Sequence, residues 1–139
     1  LSLKKFGLDI EIVPDTIDVF GLFKVDRSIL KSRMEELIDK ECVRYKWKEM
    51  YLIGLNKAGY PHCYTGVFLS GVTDFYYNYC YVIRMVEAVA RLSHSSRKYA
   101  LEHGEFYMQR GTGLLFFTVN WEVWGVLAPI VRKKEESKE

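Results

Sequence analysis

Two groups of polar side chains carry the clearest chemical potential in this chain. Arg27, Ser28, Lys31 and Ser32 fall on one face of a helical spacing, opposite Leu30, Met34 and Leu37. Arg44, Lys46 and Lys48 alternate with Val43, Tyr45 and Trp47, which is the period of a strand with one basic and one apolar face. Within 27–33 and 44–48 there are six Lys/Arg and no Asp/Glu. Guanidinium and ammonium groups so placed can donate to guanine O6 and N7 from a helix, or neutralise phosphates from a strand. The competing reading is a solvated helix face and a lysine-protected edge strand.

The elements that must position these groups follow from the same stretch. Val25, Leu30, Met34, Leu37 and Ile38 return to one side, and Asp26 stands where an N-cap accepts free backbone N–H groups. The spacing predicts a helix over about 26–40, a strand over 43–48 and a second strand over 50–55, closed by Asn56-Lys57-Ala58-Gly59. A further helix is predicted from Asp15 to Phe23, with Lys24 in the turn, and a short strand from Leu8 to Val13, stopped by Pro14.

The phrase VDRSILKSRMEELIDKECV, followed by MYLIGLNKAG, resembles the recognition helix and wing of winged helix-turn-helix regulators. The resemblance spans roughly 15–60. It departs from the pattern where Phe20 replaces a preferred Ala, Lys24 a preferred Gly, and Glu41 the usual helix-ending Gly. What it implies is a winged-helix module at 1–60; with a helical reading of the later spacing, the expected fold is α+β with a mainly helical C-terminal part at 61–139. The module would bind double-stranded DNA as a transcriptional regulator, with Arg27, Ser28, Lys31 and Ser32 on the recognition helix and Arg44, Lys46 and Lys48 on the wing.

Beyond Asn56–Gly66, a stretch rich in Gly, Pro and Asn, a long helix is expected from Thr73-Asp74 to about His103. His94-Ser95-Ser96 should break or bend it, and Gly104 should end it. Residues 75–83 also read as a strand, because four tyrosines raise the β propensity. Leu114–Val119 is β-rich, and Asn120 is placed to cap a helix through Leu127. The excess of Tyr, Phe and Val between Phe75 and Leu92 suggests a homodimer contact. It also supports a second function class, a non-enzymatic interaction or structural protein using the Tyr-rich 75–92 segment and Trp121/Trp124.

Composition bounds the remaining options. The chain has 139 residues, 49% hydrophobic and 15% aromatic, so it can build a core. A net charge of +2 argues against coating nucleic acid by charge alone. Cys42, Cys63 and Cys80 are scattered, with no Cys-x-x-Cys, which favours a reducing, cytoplasmic setting over a disulfide framework. No apolar run is long enough for a membrane span, and no leader is expected. His62, His94 and His103 lack convergent partners for zinc. Leu69–Asp74 is similar to the opening of the LAGLIDADG homing-endonuclease motif, but Tyr76 and Tyr77 stand where its metal-binding acid and glycine belong. No nucleophile elbow, phosphate loop or dinucleotide fingerprint occurs, so no catalytic residue, metal or cofactor is expected.

Overall fold

The computed structural model describes residues 13–14, 20–25, 35–36, 38–55 and 64–131. Two antiparallel sheets enclose a long helix. The larger is built from β1 (Val13–Pro14), β2 (Phe20–Lys24), β3 (Cys42–Tyr45), β7 (Glu105–Gln109), β8 (Leu115–Thr118) and β9 (Val123–Leu127), in the order β1-β2-β9-β8-β7-β3. The smaller contains β4 (Met50–Leu55), β5 (Tyr64–Leu69), β6 (Phe75–Asn78) and β10 (Ile130–Val131), in the order β10-β6-β5-β4. Helix α1 is described at 35–36 and 38–41, α2 is Tyr79–Leu92, and α3 is Arg97–His103.

Alternation along the strands gives the larger sheet two distinct faces. Phe106 and Met108, Leu115 and Phe117, Val123 and Leu127 point inward. They share one core with Val82, Met85, Val86 and Val89 of α2 and Val67, Leu69 and Tyr77 of the smaller sheet. Met85, Phe106, Phe117 and Tyr77 are fully buried, and each such side chain contributes roughly 1.5–3 kcal/mol. A Cβ at Gly125 would lie 2.5 Å from the Met85 Cγ, so glycine is what lets α2 approach β9. Phe23, Phe116, Trp124 and Val126 point the other way and form a second core with Val25, Ile38, Cys42 and Tyr107.

Two buried-end tyrosines tie the sheets together. The Tyr77 hydroxyl donates to the Gly113 carbonyl at 2.6 Å, and the Tyr45 hydroxyl to the Ser70 carbonyl at 2.8 Å. Gly113 needs its freedom: its φ is +75°, and a Cβ there would meet the Phe75 ring at 2.7 Å.

This architecture corrects the winged-helix fold and the helical C-terminal part. The two wing strands do not pair with each other. β3 pairs with β7 in the larger sheet, whereas β4 pairs with β5 in the smaller one. Between them the chain closes a 3-10 turn at Trp47–Glu49, where the Lys46 N–H donates to the Glu49 carboxylate at 2.7 Å. The strand expected over 43–48 therefore ends at Tyr45. Phe20–Phe23, expected as the end of a helix, and Lys24, expected in the turn after it, form β2, because the aromatic residues are held between β1 and β9. The expected helix after Asn120 is β9. The long helix over 73–103 divides into β6, α2 and α3, with Asn78 and Ser96 accepting the first-turn N–H groups of Tyr81 and Tyr99.

The expected break at 94–96 and the stop at Gly104 are where the structure has them. His94 takes φ 56° there, while the Ser95 N–H reaches Ala90 O and the His94 N–H reaches Arg91 O. That is the bonding of a Schellman helix end, with histidine at the position glycine usually holds. The strands expected at 50–55 and within 114–119 are also present. Strands from before and after residue 60 pair with one another in both sheets.

Candidate functional site

Position, alternation and register bring a polar cleft to the outer face of the larger sheet. Cys42 and Arg44 of β3 and Glu105 and Tyr107 of β7 all point outward, with Arg44 directly opposite Tyr107 in the ladder. Ile38 and Asp39 of α1 bound one side, and Trp121 of the β8–β9 turn completes the lining. The cleft encloses about 300 Å³, which is at the small end of ligand pockets.

Glu105 is the hub of its polar end. Its carboxylate accepts the Tyr107 hydroxyl at 2.6 Å, lies 3.3 Å from Arg44 Nη1 and 3.9 Å from Lys46 Nζ. The Arg44 side chain is 65% exposed, so this pair contributes little stability, but it holds the guanidinium fork at the cleft. Burial, reinforced by the hydrogen bond to Glu105 and its charge, pushes the Tyr107 phenol well above its ordinary range. Burial, with the Glu41 charge adding to it, raises the Cys42 thiol to about 12 although Arg110 opposes the shift. Cys42 is therefore a protonated, unreactive wall group at neutral pH.

The aromatic end is held with more care. Trp121 has φ 65°, the left-handed region that bulky side chains rarely occupy. The Trp121 N–H donates to Thr118 Oγ1 at 2.9 Å, and that hydroxyl donates in turn to the Val123 carbonyl at 2.8 Å. The Asn120 side chain accepts from the N–H groups of Glu122 and Val123, and the Trp124 indole N–H donates to the Trp121 carbonyl at 3.0 Å. The indole ring of Trp121 packs edge-on against Trp124 and Tyr107, with centroids 5.2 and 5.8 Å away.

Of the residues singled out in the sequence, Arg44 and Lys46 come together, but around an acid. Lys48 lies exposed on the 3-10 turn. Arg27, Ser28, Lys31 and Ser32 lie outside the described residues. The apolar surplus of the Tyr-rich segment faces inward: Tyr77, Val82, Met85, Val86 and Val89 are fully buried. Sequence reasoning missed Glu105, Tyr107 and Trp121 as partners. The available signal was Asn120-Trp121-Glu122 lying between two β-rich runs, which reads as a hairpin turn.

No family model matches the chain, and neither a curated protein nor a solved structure matches it. Among the described residues, no three His, Cys, Asp or Glu side chains are grouped so as to hold a metal ion, and no helix is long and apolar enough to cross a membrane.

Proposed function

We propose that the protein is a non-catalytic binding domain whose outer-face cleft takes a small monoanionic organic molecule with a flat apolar body. The observation that carries this reading is Trp121. A left-handed backbone at a bulky residue costs on the order of 1–3 kcal/mol, and Thr118 and Asn120 maintain it. The result is an indole on the cleft wall beside Tyr107, where a flat body can pack.

Arg44 supplies the polar anchor. One of its N–H groups engages Glu105, and the remaining donors of the planar fork suit a carboxylate. Arg44 and Lys46 together balance Glu105 and Asp39, so the open donors of the Arg44 fork, and not net charge, select an anion. Asp39 on the lining disfavours a polyanion. Neither Cys42 nor Tyr107 is activated as a nucleophile, because burial favours the neutral form of both.

Titration of intrinsic tryptophan fluorescence with benzoate and naphthoate tests the reading, with benzamide and naphthamide as neutral controls. Saturable quenching by the acids is expected, and Arg44→Ala should weaken it about tenfold or more, the size of a lost charge-assisted hydrogen bond. No saturable response at millimolar acid would overturn the proposal. Duplex DNA binding is the competing proposal, favoured by the exposure of Arg44 and Lys48. Retardation of random duplex with a log–log salt slope of about −0.9 per neutralised phosphate would support it instead.

A further inference from the structure

The smaller sheet ends on β4, and among the described residues no strand pairs with its outer edge. Edge strands are normally protected by a lysine, a proline, a bulge or shortness. β4 has none of these. Its six residues, Met50-Tyr51-Leu52-Ile53-Gly54-Leu55, include no charge and no proline, and they pair with β5 in an unbroken register from Met50↔Leu69 to Leu55↔Tyr64. Tyr51 is 57% exposed and Leu52 50%, although successive strand residues point to opposite faces. Apolar surface is thus open on both sides of the same edge.

We infer that β4 is the seam of a two-fold dimer, pairing antiparallel with β4 of a second copy so that the two smaller sheets become one. The strand is its own complement. With the axis through Leu52, Leu52 stands opposite Leu52 of the second copy, Tyr51 opposite Ile53, and Met50 opposite Gly54. Every cross-strand pair is then between uncharged residues, none of which carries a group that opposes its partner. A neutral strand meets no like charge in its copy, and an antiparallel pair about a two-fold is isologous and closes at two chains. The contact is independent of the ligand cleft, which lies on the larger sheet.

The test is the mass of the full chain by sedimentation and light scattering across a protein dilution series. A dimer mass that falls to the monomer on dilution is expected. Leu52→Lys, which places two ammonium groups at the seam, should raise the dimer dissociation constant about tenfold or more with an unchanged far-UV spectrum. Leu92→Lys, at an exposed apolar position on α2, should leave it unchanged. Hydrogen exchange supplies a readout that needs no variant: amides of 50–55 should exchange faster in the dilute protein than in the concentrated one. A monomer at every concentration would overturn the inference, as would a dimer that Leu52→Lys leaves intact and whose 50–55 amides exchange at a concentration-independent rate.

Discussion

The two faces of the larger sheet are made by the same strands and packed by different rules. The inner face is closed. α2 lies across it, glycine at 125 lets the helix approach, and interior contacts such as Met85 with β9 exclude water. The outer face is aromatic and partly open, with Phe23, Phe116 and Trp124 stacked or crossed at centroid separations of 6.2–6.4 Å and polar side chains gathered at the β3–β7 edge. A closed face can only stabilise. A face with an opening, a pinned indole and an exposed guanidinium can also bind something. The difference teaches where to look for function in a sheet whose strands are apolar on both sides.

The two faces should separate most visibly when one large side chain is truncated on each. Trp124→Ala should cost about 3–5 kcal/mol in denaturant unfolding and also remove the fluorescence response to aryl acids, since Trp121 rests on that ring. Met85→Ala should cost about 2–5 kcal/mol and leave binding intact under conditions where the protein remains folded. Equal loss of binding in both variants would erase the functional distinction between the faces.

A smaller effect is expected from alkali. The folded state holds the Cys42 proton more tightly than the unfolded chain does, its thiol titrating near 12 rather than 9.0. Its contribution is therefore complete below pH 9 and declines as pH rises toward 12, with a limiting slope of about 1.4 kcal/mol per pH unit. Cys42→Ala should flatten that part of a stability–pH profile. A profile unchanged by the substitution would mean that the thiol titrates like a free one.

The smallest effect isolates backbone strain on the outer face. Trp121→Gly and Trp121→Ala both remove the indole, and both should abolish binding. The glycine variant should nonetheless be more stable than the alanine one by about 1 kcal/mol, because φ 65° suits glycine alone. Equal thermal midpoints would show that the turn relaxes once the ring is gone.

Much of the local structure was legible in the residues, and the pairing was not. The alternation of Val43 and Tyr45 against Arg44 describes β3 correctly, and Ser96 and Gly104 bracket α3 as their chemistry suggests. Asn120 shows why other expectations failed. Its side chain accepts two nearby N–H groups, as a helix N-cap would, but the chain after it is a strand. The same local chemistry serves an Asx-type turn and a helix start, and tertiary pairing decides between them. The cleft was half legible for a related reason. Arg44 and Lys46 were visible as a basic group, but Glu105 reaches them only because β7 lies beside β3, across some sixty residues of chain.

One pairing in the larger sheet sets a clock on how this chain is made. β2 finds its place beside β9, with Phe20 opposite Leu127, more than one hundred residues later. At a synthesis rate of about 5–20 residues per second, Phe20 and Phe23 wait on the order of ten seconds before their partner strand exists. During that interval FGLFK has, among the described strands, only two-residue β1 to pair with. Contacts this distant also slow folding after release. The growing polypeptide therefore carries a sticky aromatic strand until β9 has been made. Its yield in a cell should depend on holdase chaperones that bind such segments, even though the finished sheet conceals both phenylalanines.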